Sequence, residues 1–78
     1  MNNVDLIEHC GYHFRAGAMS GGPRGPWTGV YVVYKRGTSG AMEEVLPTKT
    51  VDGRFSDDWE ATGAAELAAR AWIEAAIL

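Results

Sequence analysis

Ala61-Thr62-Gly63-Ala64-Ala65-Glu66-Leu67-Ala68-Ala69-Arg70-Ala71-Trp72-Ile73-Glu74-Ala75-Ala76 decides the fold. At about 100° per residue, Ala61, Ala65, Ala68, Ala69, Trp72, Ile73 and Ala76 share one side of a helix. Glu66, Arg70 and Glu74 share the opposite side, spaced so that Arg70 can pair with both glutamates. Ser56 and Thr62 are both available as N-caps, and Asp57, Asp58 and Glu60 suit a helix N-terminus. Gly63 costs about 1 kcal/mol inside a helix relative to alanine. The regular helix is therefore expected over 62–78, with 55–61 as a looser lead-in.

A face of alanines holds the helix axis close to whatever it covers, so the layer beneath must supply the bulk. Upstream, Trp27-Thr28-Gly29-Val30-Tyr31-Val32-Val33-Tyr34 is β-branched and aromatic, and apolar on both sides, the pattern of a central strand. Tyr12 to Ala18 alternates: Tyr12, Phe14, Ala16 and Ala18 fall on one side, His13, Arg15 and Gly17 on the other. Between these runs, Ser20-Gly21-Gly22-Pro23-Arg24-Gly25-Pro26 reads as a loop. Lys35 to Gly40 supplies a turn, and a weaker strand follows from Ala41 to Pro47. Pro47 has no N–H to donate, which assigns that strand to an edge. Asp52-Gly53 marks another turn.

The expected fold is α+β: a three-stranded antiparallel β-sheet over 11–54 with one C-terminal helix packed on one face (β-β-β-α). Trp27, Tyr31 and Val33, with Gly29 as a hollow, share parity and are assigned inward with Tyr12 and Phe14, toward the alanines and Trp72. Thr28, Val30, Val32 and Tyr34 then face outward beside His13 and Arg15. Both parities of the central strand are apolar, so the opposite assignment stays open. Residues 3–10 have two readings. Asn3 could cap a short helix carrying Val4, Ile7 and Cys10 and ending at Gly11. A loose lead-in is the preferred alternative.

The 78 residues make room for one domain, which buries only about 60–65% of its unfolded surface. A lone cysteine, Cys10, forms no internal disulfide, so stability must come from the core or from a second copy. No basic, hydrophobic leader opens the chain, and no apolar run approaches about 18 residues. A cytoplasmic protein that does not enter the membrane is expected. The net charge of −3 is uneven: residues 9–50 carry +3, whereas residues 51–78 carry −4. Such a dipole steers acidic partners toward the sheet or helps two copies meet.

Few residues offer chemistry. His9-Cys10-x-x-His13 contains metal-ligand types, and on a helix the two histidines would share a face. On a strand they stand about 13 Å apart, and no second cluster completes a site. Cys10 with a histidine could form a nucleophile pair only in an electropositive pocket. Pro23 stands where a phosphate-binding loop needs lysine. No enzyme activity, metal or small-molecule cofactor is expected. The informative surface is the outward patch of Val30, Val32 and Tyr34, rimmed by His13, Arg15 and Arg36. Three apolar side chains on an open sheet face favour a protein partner or a homodimer. A nucleic-acid surface built on Arg15, Lys35 and Arg36 is the alternative, disfavoured because one aromatic alone faces outward and no RNA-binding consensus is present.

Gly11-Tyr12, Trp27-x-Gly29, Gly40, Phe55-Ser56 and Ala68-Ala69-x-Ala71-Trp72-Ile73-Glu74 together resemble small functionally uncharacterised bacterial β-β-β-α domain proteins, over residues 11–74. Those proteins often show a Gly-Tyr first strand, a tryptophan opening the second and a helix ending near Trp-Ile-Asp. The resemblance implies a β-β-β-α domain and transfers no activity; the lead-in to the helix is longer here. The topology is also similar to that of double-stranded RNA-binding domains. That family's last helix presents lysines, where this one presents Glu66, Arg70 and Glu74, which argues against its function.

Overall fold

A computed structural model describes residues 6–21 and 26–78. Strands β1 (Ile7–His9), β2 (Tyr12–Ser20), β3 (Trp27–Arg36) and β4 (Met42–Thr50) precede one helix, α1 (Asp58–Ala76). The strands form an antiparallel sheet in the order β1-β2-β3-β4. The α+β class and the C-terminal helix are as expected, but the sheet has four strands rather than three.

The additional strand lies where a lead-in or a short helix was expected. Ile7 pairs with Phe14 and His9 with Tyr12, leaving Cys10 and Gly11 as a two-residue hairpin loop. Both loop residues have positive φ, 53° and 84°. That is the signature of a type I′ turn, whose twist matches the strands it joins. Asn3 and Val4, which the helical alternative needed, lie outside the described residues, as does the middle of the 20–26 loop. The ends of that loop are joined by the Gly21 N–H, which donates to the Pro26 carbonyl at 3.0 Å.

The helix lies across β2 and β3 on one face. Its buried row is Ala61, Ala65, Ala69 and Ile73, one residue per turn. Phe14, Val33, Ala69 and Ile73 form the core, flanked by Ile7, Tyr12, Ala16, Tyr31, Leu46 and Trp72. The face assignment of β2 and β3 therefore stands as expected. Tyr12 and Trp72 meet edge to face at 6.3 Å. Gly29 is the hollow: a Cβ there would lie 2.4 Å from the Ala61 carbonyl oxygen and 3.3 Å from the Ala65 Cβ.

Three details of the helix differ from expectation. It starts at Asp58, not Thr62, because Asp57 is the N-cap and its carboxylate accepts the Glu60 N–H at 2.8 Å. Ser56 adds its hydroxyl, which donates to the Glu60 carboxylate at 2.8 Å. These bonds, with the burial of Ala61, offset the propensity cost of Gly63, which is exposed. Ala76 is exposed, so the packed row stops at Ile73. Arg70 is not on the solvent side with Glu66: its guanidinium lies 5.2 Å from the Phe14 ring centroid and 3.2 Å from His9 Nδ1. Glu74 turns to His9 Nε2 at 2.8 Å. Arginine only donates, so Nδ1 of the neutral ring accepts and Nε2–H donates to Glu74.

Asp57→Ala is expected to cost about 1 kcal/mol, with Asp57→Ser retaining most of it. Urea unfolding of the two variants beside the parent chain measures this directly.

The edge position of β4 is as expected. Its register slips twice: Tyr31 faces Lys49, Val33 faces Leu46 and Tyr34 faces Glu44. Pro47 and Thr48 together face Val32, and Val45 is the extra residue of the second slip; each bulge flips the parity of the residues beyond it, so the two cancel. Among the described residues, no helix is long and apolar enough to cross a membrane.

Candidate functional site

The alternation that sends Phe14, Tyr31 and Val33 under the helix sends Arg15, Val30, Val32 and Tyr34 to the other face. No described element covers that face. Its register is set by β2 against β3: His13 opposite Tyr34, Arg15 opposite Val32, Gly17 opposite Val30 and Met19 opposite Thr28. Across β3, Tyr34 faces Glu44 and Val30 faces Thr50 of β4.

These residues surround a shallow depression of about 350 Å³, lined by Arg15, Gly17, Val30, Val32, Tyr34, Glu44 and Thr48, together with Ala16 and Tyr31. Gly17 makes the hollow, since the space above it holds no atom within 4 Å of where a Cβ would stand. Val32 is 9% exposed although no described element lies over it. Arg15 extends along Tyr34, with its guanidinium carbon 5.7 Å from the ring centroid. A cation held over an aromatic face is partly ordered before any partner arrives. Nδ1 of His13 is buried without a hydrogen-bond partner.

The depression brings Arg15, Val30, Val32 and Tyr34 together, four of the six residues singled out from sequence. His13 stands beside them, opposite Tyr34. Arg36 does not join them: its guanidinium donates to the Gly40 carbonyl at 2.7 Å and braces the β3–β4 turn. Lys35 belongs to the helix-side parity, with Nζ 5.3 Å from the Tyr12 ring centroid. Arg15, Lys35 and Arg36 therefore form no common basic surface. Glu44 and Thr48 were missed. They share parity with Thr50, which faces Val30, but nothing in the residue types fixes the register of β4 against β3; the two bulges cancel and turn only Leu46, between them, toward the helix.

Cys10 is a free, exposed thiol on the hairpin loop. His9 faces the helix and His13 the open side, so the two imidazoles do not converge. Among the described residues, no group of three or more His, Cys, Asp or Glu side chains is placed to hold a metal ion. A second exposed apolar row runs along α1, with Trp59 83% and Leu67 70% exposed. The recess beside it, formed with Thr62, Gly63 and Glu66, holds about 180 Å³.

Comparison of the chain with protein-family models, with curated proteins and with solved structures finds no match to any of them.

Proposed function

We propose that this chain is a non-enzymatic interaction module that holds a protein partner, a second copy or another chain, against the open face of its sheet. The observation that carries this reading is the Val30–Val32–Tyr34 row lying uncovered in the middle of that face, over a depression of about 350 Å³. An uncovered apolar patch with an aromatic at its edge and charges around it has the make-up of a contact surface. The split of Arg15, Lys35 and Arg36 among three environments weighs against nucleic acid, which is bound by a continuous basic track. A cytoplasmic setting is part of the proposal, since the exposed Cys10 thiol is compatible with a reducing compartment.

Position-specific photocrosslinking in the source cells tests it. A photoreactive side chain replaces Tyr34 on the sheet, or Leu67 on the exposed helix row. A discrete protein adduct from position 34 and none from position 67 is expected. Absence of an adduct at 34, or equal labelling from both positions, would refute the reading.

A further inference from the structure

We infer that the occupant of the open face is a second copy of the chain, docked about a two-fold axis that runs along β3. This rests on the reading of that face as a protein contact and names the partner. The argument is one of charge placement. Arg15 stands on β2 and Glu44 on β4, on opposite flanks of the apolar β3 row. Two sheets packed face to face can share a two-fold axis in either of two simple directions within the plane between them. An axis across the strands lays β2 on β2 and β4 on β4, which brings Arg15 toward Arg15 and Glu44 toward Glu44. An axis along β3 lays β3 on β3 and carries each β2 over the partner's β4.

In that second arrangement Arg15 of each copy sits about two residues along the strand from the partner's Glu44. The offset is about 7 Å, within the reach of the two extended side chains. Each dimer then gains two opposite-charge contacts, as an isologous interface requires. Val30 and Tyr34 meet their own counterparts between those charges and leave the water together, on either side of the nearly buried Val32. Thr50 comes opposite Gly17, since both pair with Val30, a small side chain against a hollow.

Among the described residues, the two edge strands are poor templates for strand addition. β1 is three residues long. β4 carries Pro47, two bulges and Lys49, features that block strand addition. The face across β2–β4 measures roughly 30 Å by 15 Å. This is at the small end of specific interfaces, so the dissociation constant is expected on the order of micromolar.

The experiment is sedimentation velocity on the full chain from low micromolar to near-millimolar concentration. The parent chain is expected to pass from monomer to dimer. Arg15→Glu and Glu44→Arg should each weaken the dimer at least about tenfold, because each places two like-charge contacts in it. Mixing the two variants should restore dimerisation, since the mixed pair regains both opposite-charge contacts. Both side chains are exposed, and unchanged thermal unfolding at low concentration verifies that the variants fold. A strict monomer throughout, or single variants that do not rescue each other, overturns the inference. A position-34 crosslink of a mass other than twice the chain also overturns it, while leaving the sheet face as a protein contact intact.

Discussion

Gly29→Ala is expected to destabilise the chain by about 3 kcal/mol, through overpacking between helix and sheet. A methyl at this position meets the Ala61 carbonyl oxygen at 2.4 Å and the Ala65 Cβ at 3.3 Å. The nearer atom is helix backbone, so no side-chain rotation relieves the clash. The helix must lift off β3, and the contacts of Ala65 and Ala69 loosen with it. A domain of 78 residues holds about 4–12 kcal/mol in all. The substitution therefore removes a large fraction of it and lowers the melting temperature by about 15 °C. Gly63→Ala is the matched comparison. Its φ is not positive and nothing lies within 4 Å of the added methyl. That change is expected to stabilise by about 1 kcal/mol, the helix-propensity difference alone. Differential scanning calorimetry on the two variants should show shifts of opposite sign; a neutral Gly29→Ala would mean that the helix does not sit flush on the strand.

Gly29 also shows how far residue pattern reaches in this chain. The alanine row at 61, 65 and 69 and the parity of Trp27, Gly29, Tyr31 and Val33 imply one another, because small residues on the helix need a hollow or a bulky residue opposite. Core, face assignment and helix identity were legible for that reason. The first strand was not. Its turn places Cys10 at φ 53° where asparagine or aspartate is the familiar marker, and three residues are too few to show an alternation. The helix start was missed for a different cause. The propensity cost of Gly63 is local and visible, whereas the bonds that outweigh it depend on Ser56, Asp57 and Glu60 already being in place.

The outward face was legible only in its β2 and β3 parts. Val30, Val32, Tyr34 and Arg15 follow from strict alternation. Glu44 and Thr48 follow from the register of β4 against β3, which is decided by how the edge strand fits its neighbour; the two bulges there cancel and turn only Leu46 inward. Arg36 was drawn away by a turn carbonyl, and Lys35 by the parity that alternation already implies. Arg70 is the converse case. Its charge suggested solvent, but its stem and guanidinium cover Phe14, which a long cation does when the helix face beside it is only alanine.

Phe14→Ala is expected to have the largest effect of any single truncation, about 3–5 kcal/mol. Phe14 is fully buried and is one of the three largest side chains in that state, with Ile73 and Val33. Its ring ties three elements together. Its strand pairs with Ile7 on one side and Val33 on the other, and α1 lies above it. Removing the ring leaves a cavity that its alanine neighbour on the helix cannot fill, because Ala69 has no longer rotamer to offer. It also strips Arg70 of the aromatic face beneath it. The loss is a large fraction of the stability of a domain this size, so the variant should show a sharply lowered unfolding midpoint in urea. Phe14→Leu removes the same ring but keeps most of the volume, and should cost about 1.5 kcal/mol and stay folded. Phe14 and Arg15 are adjacent and point to opposite sides of the sheet. A folded Phe14→Leu chain should therefore self-associate as the parent does, with Arg15 and Glu44 undisturbed. Equal dimer dissociation constants for Phe14→Leu and the parent, beside a lowered unfolding midpoint, would show that the inner face supplies the fold and the outer face the contact. A weakened dimer in that variant would mean that packing under the helix also sets the curvature of the open face.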